Sequence, residues 1–126
     1  MSIHLRIAIA GSRTITDYNQ LVIALTNAIN SGVIPRANTF EIVSGGAKGV
    51  DMLARRYANE FGYILTELKP QYKGRYDKGA PLRRNVDIAA YSDVLIAIWD
   101  GVSPGTKHMI NEMQKLNKPT YVHIVN

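Results

Sequence analysis

Short apolar runs alternate with segments of helical periodicity along the whole chain. Strands are predicted where nearly every residue is apolar, β-branched or aromatic, at 5–10, 39–44, 63–68, 94–99 and 121–125. Continuous apolar runs of this length are typical of strands covered on both faces. We therefore expect a sheet of about five strands, and the most apolar run, 94–99, is predicted to be its central strand.

Helices are predicted between these strands. Asp17 is a suitable N-cap with Gln20 as the partner of a capping-box-like pair, and Gly32 and Gly62 end the first two helices. Two further helices are predicted at 83–91 and 106–116, the latter ended by the segment before Pro119. Regular alternation of strand and helix favours a single-domain α/β fold spanning 1–126, a doubly wound parallel sheet with helices on both faces.

Composition narrows the class of protein. The 126 residues include 46% hydrophobic positions and no cysteine, so a packed core is expected while disulfides and thiolate chemistry are excluded. No apolar run has the length of a membrane span and no signal pattern opens the chain, so we expect a cytoplasmic protein. The net charge of +5 favours an anionic partner. No His/Asp/Glu spacing indicates a metal site, and no cofactor is expected.

The candidate ligand-binding residues lie in three turns, each of which directly follows a strand. In doubly wound sheets, ligands bind beyond the carboxyl ends of the strands. A glycine-rich turn that leads into a helix presents free N–H groups and the positive end of the helix dipole, which favour a phosphate. The candidate ligand-binding residues are Gly11, Ser12 and Arg13 in the first turn, Ser44, Gly45, Gly46 and Lys48 in the second, and Asp100, Ser103, Gly105 and Thr106 in the third. The spacing matches neither the dinucleotide fingerprint nor a Walker loop.

Several of these residues have a second interpretation. Arg13 and Lys48 could contact phosphate or lie in solvent. Asp51 could accept a ribose hydroxyl, polarise a water molecule, or stabilise the first turn of its own helix. Thr106 could bind an anion or cap its helix. His108 could act as an acid–base group or be solvated.

A basic segment at 69–84 follows the third strand and runs into the helix at 83–91. It carries Lys69, Lys73, Arg75, Lys78, Arg83 and Arg84 against one acid, Asp77, with Tyr72 and Tyr76 interleaved. Such a segment could close over a nucleotide, lie along a nucleic-acid backbone, or simply be solvated. Trp99 could stack on a base or complete the core.

The turns and their order resemble the YspA-related branch of the SLOG superfamily. The matching residues are Gly11-Ser12-Arg13, Ser44 to Asp51, Arg84-Asn85, Trp99 to Gly101 and Ser103 to Thr106. The superfamily also groups the Smf/DprA DNA-processing proteins with the Lonely Guy cytokinin-activating enzymes. The resemblance implies a Rossmann-like fold of bacterial or phage type that binds a nucleotide or its derivative. It also implies a homo-oligomer, because SLOG relatives commonly form dimers or larger assemblies.

The enzymatic members of the superfamily carry a Gly-Gly-x-Gly-Thr-x-x-Glu turn, whose Glu acts with an upstream Arg on an N-glycosidic bond. Gly105-Thr106 resembles this turn and Arg84 resembles the Arg, but His108 and Met109 stand where the Glu is expected. Glu112 comes nearly a helical turn later. Arg84, Asp51 and Glu112 are therefore the catalytic candidates of this resemblance, with Asp100 as another carboxylate that could substitute.

Three functions remain open. The first is binding of a nucleotide, such as a signal nucleotide, with Arg13, Lys48 and Arg84 near its phosphates and Asp51 or Asp100 on its ribose. The second is a phosphoribohydrolase that cleaves a nucleoside monophosphate into base and ribose phosphate. The third is DprA-like binding of single-stranded DNA through 69–84.

Overall fold

Strands and helices alternate along the computed structural model, which describes residues 3–126. The strands are β1 (His4–Gly11), β2 (Thr39–Ser44), β3 (Ile64–Glu67), β4 (Val94–Trp99) and β5 (Thr120–Ile124). The helices are α1 (Tyr18–Asn30), α2 (Val50–Phe61), α3 (Ala80–Tyr91) and α4 (Pro104–Lys115). Neighbouring strands are parallel, in the order β3-β2-β1-β4-β5. The predicted α/β class is confirmed, but β1 rather than β4 holds the middle of the sheet.

The sheet is packed on both faces, as its continuous apolar strands predict. On one face, Leu21, Ala24 and Leu25 of α1 and Leu53, Ala54 and Ala58 of α2 pack on odd-numbered β1 residues such as Ile7 and Ile9. On the other face, Ile88 and Ala89 of α3 and Met109, Ile110 and Met113 of α4 pack on Ala8, Val43, Leu95 and Ala97. The two helical layers fix the carboxyl ends of β1, β2 and β4 relative to one another.

Helix ends agree with the sequence at some positions and differ at others. The carboxylate of Asp17 accepts a hydrogen bond from the N–H of Asn19 at 3.0 Å, and Gly62 ends α2 with φ +70°. The capping-box partner was wrong, because the Gln20 side chain lies 2.8 Å from His123 Nε2 instead. α3 begins at Ala80, earlier than predicted, since a proline in the first helical turn is tolerated.

The end of α3 away from the strand carboxyl ends is fixed by two polar contacts. The ammonium group of Lys118 donates to three carbonyl oxygens there, those of Ala89 (2.7 Å), Ala90 (3.0 Å) and Ser92 (2.8 Å). A cation suits the negative end of the helix dipole. The hydroxyl of Tyr91 donates to the buried carboxylate of Glu41 on β2. Together these contacts attach α3 to the sheet.

Gly11 lies where the end of β1 meets β4 and α2. A Cβ at this position would be 2.1 Å from the carbonyl oxygen of Ile98 and 2.6 Å from Cγ2 of Val50. The backbone of β4 cannot move aside without breaking the parallel ladder in which Gly11 pairs with Ile98. Glycine is therefore required here by packing alone, independently of any ligand.

Gly11→Ala is expected to lower the free energy of unfolding by about 3 kcal/mol, because the added methyl group overpacks a rigid strand junction. Gly74→Ala is the matched control, since a Cβ at Gly74 would meet nothing within 4 Å. Its free energy of unfolding should stay within about 0.5 kcal/mol of the parent protein. Urea unfolding measures both, and equal stability of the two variants would contradict the packing role of Gly11.

Candidate functional site

A cavity of about 380 Å³ lies at the carboxyl ends of β1, β2 and β4. Nine predicted site residues line it: Gly11, Ser12, Arg13, Gly45, Asp51, Arg84, Ser103, Gly105 and Thr106. The lining does not include Ser44, Gly46, Lys48, Asp100 or Glu112. Asn85, Pro81 and Leu82 of α3 also border the cavity, so α3 forms one of its walls.

The glycine turn after β2 lies beneath two cationic side chains. A Cβ on Gly45 would be 2.1 Å from Nη1 of Arg84, and one on Gly46 would be 3.1 Å from Cε of Lys69. Arg84 Nη1 also donates to the carbonyl oxygen of Gly45 at 2.8 Å. The missing side chains therefore make room for an arginine and a lysine from other parts of the chain.

Two N–H groups of this turn already have partners within the turn itself. Gly46 donates to the hydroxyl oxygen of Ser44 at 3.3 Å, and Ala47 donates to the carboxylate of Asp51 at 3.0 Å. The N–H groups of Lys48 and Gly49 have no partner among residues 3–126, but neither residue lines the cavity. Anion binding on this side of the cavity therefore depends on the guanidinium of Arg84 more than on the turn's N–H groups.

The turn after β4 is organised by Ser12 and Asp100. The buried hydroxyl oxygen of Ser12 accepts a hydrogen bond from the N–H of Asp100 at 3.1 Å. The Asp100 carboxylate accepts from the N–H groups of Val102 (2.9 Å) and Ser103 (2.7 Å) and from the Ser103 hydroxyl (2.6 Å). These hydrogen bonds, led by the one from the Ser103 hydroxyl, lower the pKa of Asp100 to about 2. Asp100 thus holds the shape of the turn.

The first turn of α4 faces the cavity with free donors. Ser103 is the N-cap and Pro104 has no N–H, so the N-cap interpretation of Thr106 is wrong. The N–H groups of Gly105 and Thr106 have no hydrogen-bond partner among residues 3–126, whereas that of Lys107 donates to Ser103. Free donors at the positive end of a helix dipole favour an anion.

Asn85 connects Arg84 to α4. Its Oδ1 accepts from Nε of Arg84 at 3.0 Å, and its Nδ2 donates to the carbonyl oxygen of Gly105 at 3.3 Å and lies 3.1 Å from Nδ1 of His108. The sequence predicts Asn85 only as part of the family resemblance, not as a site residue. Asn85 precedes the buried Ile88 by three residues, so helical spacing places this polar residue on the packed face of α3. A polar residue at such a position is a sign of function that the sequence alone contains.

Of the carboxylates predicted to be catalytic, Asp51 borders the cavity and Glu112 lies outside its lining. Asp51 is buried and borders the cavity with Arg84. Burial raises the pKa of the Asp51 carboxyl, although the hydrogen bond from Ala47 and the charge of Arg84 act in the opposite direction. Glu112 instead contacts Lys115 at 3.0 Å and His108 at 3.4 Å.

Desolvation also changes the pKa of Arg84, a cation that lines the cavity. Burial lowers the pKa of Arg84, an effect the Asp51 charge opposes and the Arg13 charge reinforces. Two guanidinium groups facing one carboxylate leave the cavity positive, which suits a ligand with negative charge. Among residues 3–126, no cluster of three His, Cys, Asp or Glu side chains is arranged to hold a metal ion.

The α/β fold with a basic cavity at the strand ends defines a Rossmann-like ligand-binding protein. Residues 5–73, more than half of the chain, match the family described as YspA, cpYpsA-related SLOG family. The chain is 32% identical over 119 residues to the gene 61 protein of Mycobacterium phage D29, covering 90% of this chain and 92% of that protein. The chain therefore belongs to the YspA, cpYpsA-related SLOG family, as its turns predict.

Solved structures confirm the fold. The DNA processing protein A of Helicobacter pylori, whose single-stranded DNA binding mode has been described, aligns with a TM-score of 0.63 and 25% identity. The alignment covers 95% of this chain but 65% of that one, so this chain spans less than two thirds of the DNA processing protein. TM1055 aligns with a TM-score of 0.63 at 19% identity, over 92% of this chain and 72% of that one, which supports the fold alone. Within residues 3–126, no helix combines the length and apolar character that crossing a membrane requires.

Asp51 and Asp100 should affect stability with opposite dependence on pH. The pKa of Asp51 is raised from 3.8 on folding, so its contribution to the free energy of unfolding falls as pH rises from about 3.8 through the folded-state pKa. The pKa of Asp100 is lowered from 3.8 to about 2, so its contribution is present above pH 3.8 and is lost as pH falls toward 2. Asp51→Asn should remove the first dependence and Asp100→Asn the second.

Urea unfolding between pH 2 and pH 7 measures both dependences, because each Asn variant keeps the side-chain shape and loses the titrating group. The difference between parent and variant should change with pH in opposite directions for the two sites. Changes of the same sign would contradict the assigned environments.

Proposed function

We propose that the cavity binds a nucleotide or a nucleotide-derived ligand, such as a signal nucleotide, through its phosphate. The observation that carries the proposal is the convergence of Arg13, Arg84 and the free N–H groups of Gly105 and Thr106 on one cavity of about 380 Å³. This volume lies in the range of small-molecule sites. Guanidinium groups and helix N-termini are both strong phosphate ligands.

The comparisons support the same class of ligand. The chain belongs to a SLOG family, and the DNA processing protein that it resembles binds single-stranded DNA. Nucleotides and nucleic acids share the phosphate group that this cavity suits. The family membership and the basic cavity together favour nucleotide or nucleic-acid binding as the general function.

Asp51 is the carboxylate we assign to the ribose. It borders the cavity, whereas the Asp100 oxygens are occupied by their own turn. Lys48 is exposed and outside the cavity lining, so its part in the proposal is limited to long-range attraction of an anion. Assembly into a homo-oligomer stays a prediction from the family resemblance.

Gly105→Asp is expected to weaken binding of the nucleotide at least tenfold, because it places a carboxylate where the phosphate should lie. A side chain at Gly105 would meet nothing within 4 Å, so the variant should fold. Gly74→Asp is the matched control, with the same charge change, open space and no contribution to the cavity.

The measurement is a thermal-shift screen of nucleoside monophosphates and cyclic nucleotides, followed by calorimetric titration. A ligand at 100 times its dissociation constant adds about 2.7 kcal/mol of stability, which a melting curve resolves. Equal affinity of Gly105→Asp and Gly74→Asp for the same nucleotide would rule out the proposed phosphate position.

Hydrolysis of a nucleoside monophosphate is the second candidate, and the position of Asp51 beside Arg84 favours it. Water would attack C1′ of the ribose, the N-glycosidic bond would break, and the base would leave with a proton. A buried carboxyl group with a raised pKa suits transfer of that proton. Glu112 is less suitable, since it contacts Lys115 and lies outside the cavity lining.

If the protein is this hydrolase, free base should accumulate from at least one common monophosphate. Asp51→Asn should reduce the rate at least a hundredfold, the scale of acid–base catalysis, and should weaken nucleotide binding by a much smaller factor, since the phosphate contacts remain. Chromatographic assay of the released base makes the measurement. Binding without release by the parent protein would leave the binding function and exclude the hydrolase.

A further inference from the structure

A second cavity, of about 350 Å³, also borders Arg84. It is bordered by Lys69, Gln71, Ala80, Arg83, Val86 and Asp87, and by Arg84 itself. Arg84 is the one residue that lines both cavities, so the two cavities meet at Arg84. Each cavity is in the size range of a small-ligand site.

Cations dominate this second cavity. Lys69, Arg83 and Arg84 face one lining acid, Asp87, and Arg83 is also paired with Asp77. The ammonium group of Lys69 has no hydrogen bond or ion pair with any of residues 3–126, although its aliphatic stem lies against Gly46. An exposed ammonium group with no partner among residues 3–126, on a stem that lies against Gly46, is suited to an anion from outside the chain.

The surrounding segment provides a surface for bases. Tyr72 and Tyr76 follow Lys69 closely in the chain and are 62% and 81% exposed. Exposed aromatic rings among cations are the usual means by which proteins hold unpaired bases beside a phosphate backbone. The proposed phosphate position in the first cavity does not use any of these residues.

We propose that the second cavity binds a second phosphate-bearing unit, and that the ligand consists of at least two nucleotides joined by a phosphodiester. One unit occupies the first cavity, the next occupies the second, and Arg84 lies between them within reach of the linking phosphate. The inference rests on the proposed function and adds the length and linkage of the ligand. A free dinucleotide and a stretch of single-stranded nucleic acid would both supply this chemistry.

The test compares the four nucleoside 5′-monophosphates with the four 5′-phosphorylated homodinucleotides by calorimetric titration. The parent protein should bind one dinucleotide at least tenfold more tightly than the matching monophosphate. Lys69→Gln, which keeps most of the stem and removes the charge, should weaken dinucleotide binding about tenfold and change monophosphate binding less than twofold. Lys78→Gln is the matched control, because Lys78 lies in the same segment and lines neither cavity.

The outcomes separate this inference from the proposed function. Monophosphate binding that Gly105→Asp weakens at least tenfold, with a dinucleotide bound no more tightly than the monophosphate, would overturn the second subsite and leave the proposed function intact. Equal effects of Lys69→Gln on both ligands would also overturn it. Failure of every monophosphate and dinucleotide to bind would overturn both proposals.

Twelve-nucleotide single strands distinguish the two sources of the ligand. A strand that binds at least as tightly as its dinucleotide, with affinity that falls steeply with salt, supports a nucleic-acid strand. A strand that is excluded while the dinucleotide binds supports a free dinucleotide.

Discussion

The hydrogen bond from Arg84 to the carbonyl oxygen of Gly45 is the contact on which the site depends. It joins α3 to the turn after β2, and through Asn85 the same side chain is linked to the start of α4. Without it, the half-buried guanidinium of Arg84 would no longer be held at the point where the two cavities meet. A Cβ on Gly45 would occupy the space of the guanidinium, so another residue there would displace the Arg84 side chain from this contact.

Local patterns in the sequence predict most of the fold. The strand at 94–99, the Asp17 cap and the Gly62 stop follow from runs and caps only a few residues long, and the structure confirms them. The start of α3 was missed because Pro81 and the charges around it are equally typical of a loop. The central place of β1 was missed because strand order depends on contacts between distant segments.

The site was also predicted only in part, because local sequence patterns do not show contacts between distant segments. Three turns were expected at one edge of the sheet, since parallel strands bring their carboxyl ends together. No local pattern shows that the stem of Lys69 lies on Gly46, or that Asp100 uses both carboxylate oxygens within its own turn. Those facts depend on side-chain packing across the sheet, and they change which cation and which carboxylate are assigned to the ligand.

The contacts at the two ends of α3 affect the order of events when a ligand binds. Lys118 holds one end of the helix by three carbonyl oxygens, and Arg84 holds the other. The first cavity is therefore preorganised, and binding there avoids the roughly 0.5–1.5 kcal/mol that immobilising a long side chain costs. The ammonium group of Lys69 must still lose conformational entropy when an anion arrives. Association should then begin in the preorganised cavity and end when the ammonium group of Lys69 is immobilised on the remainder of the ligand.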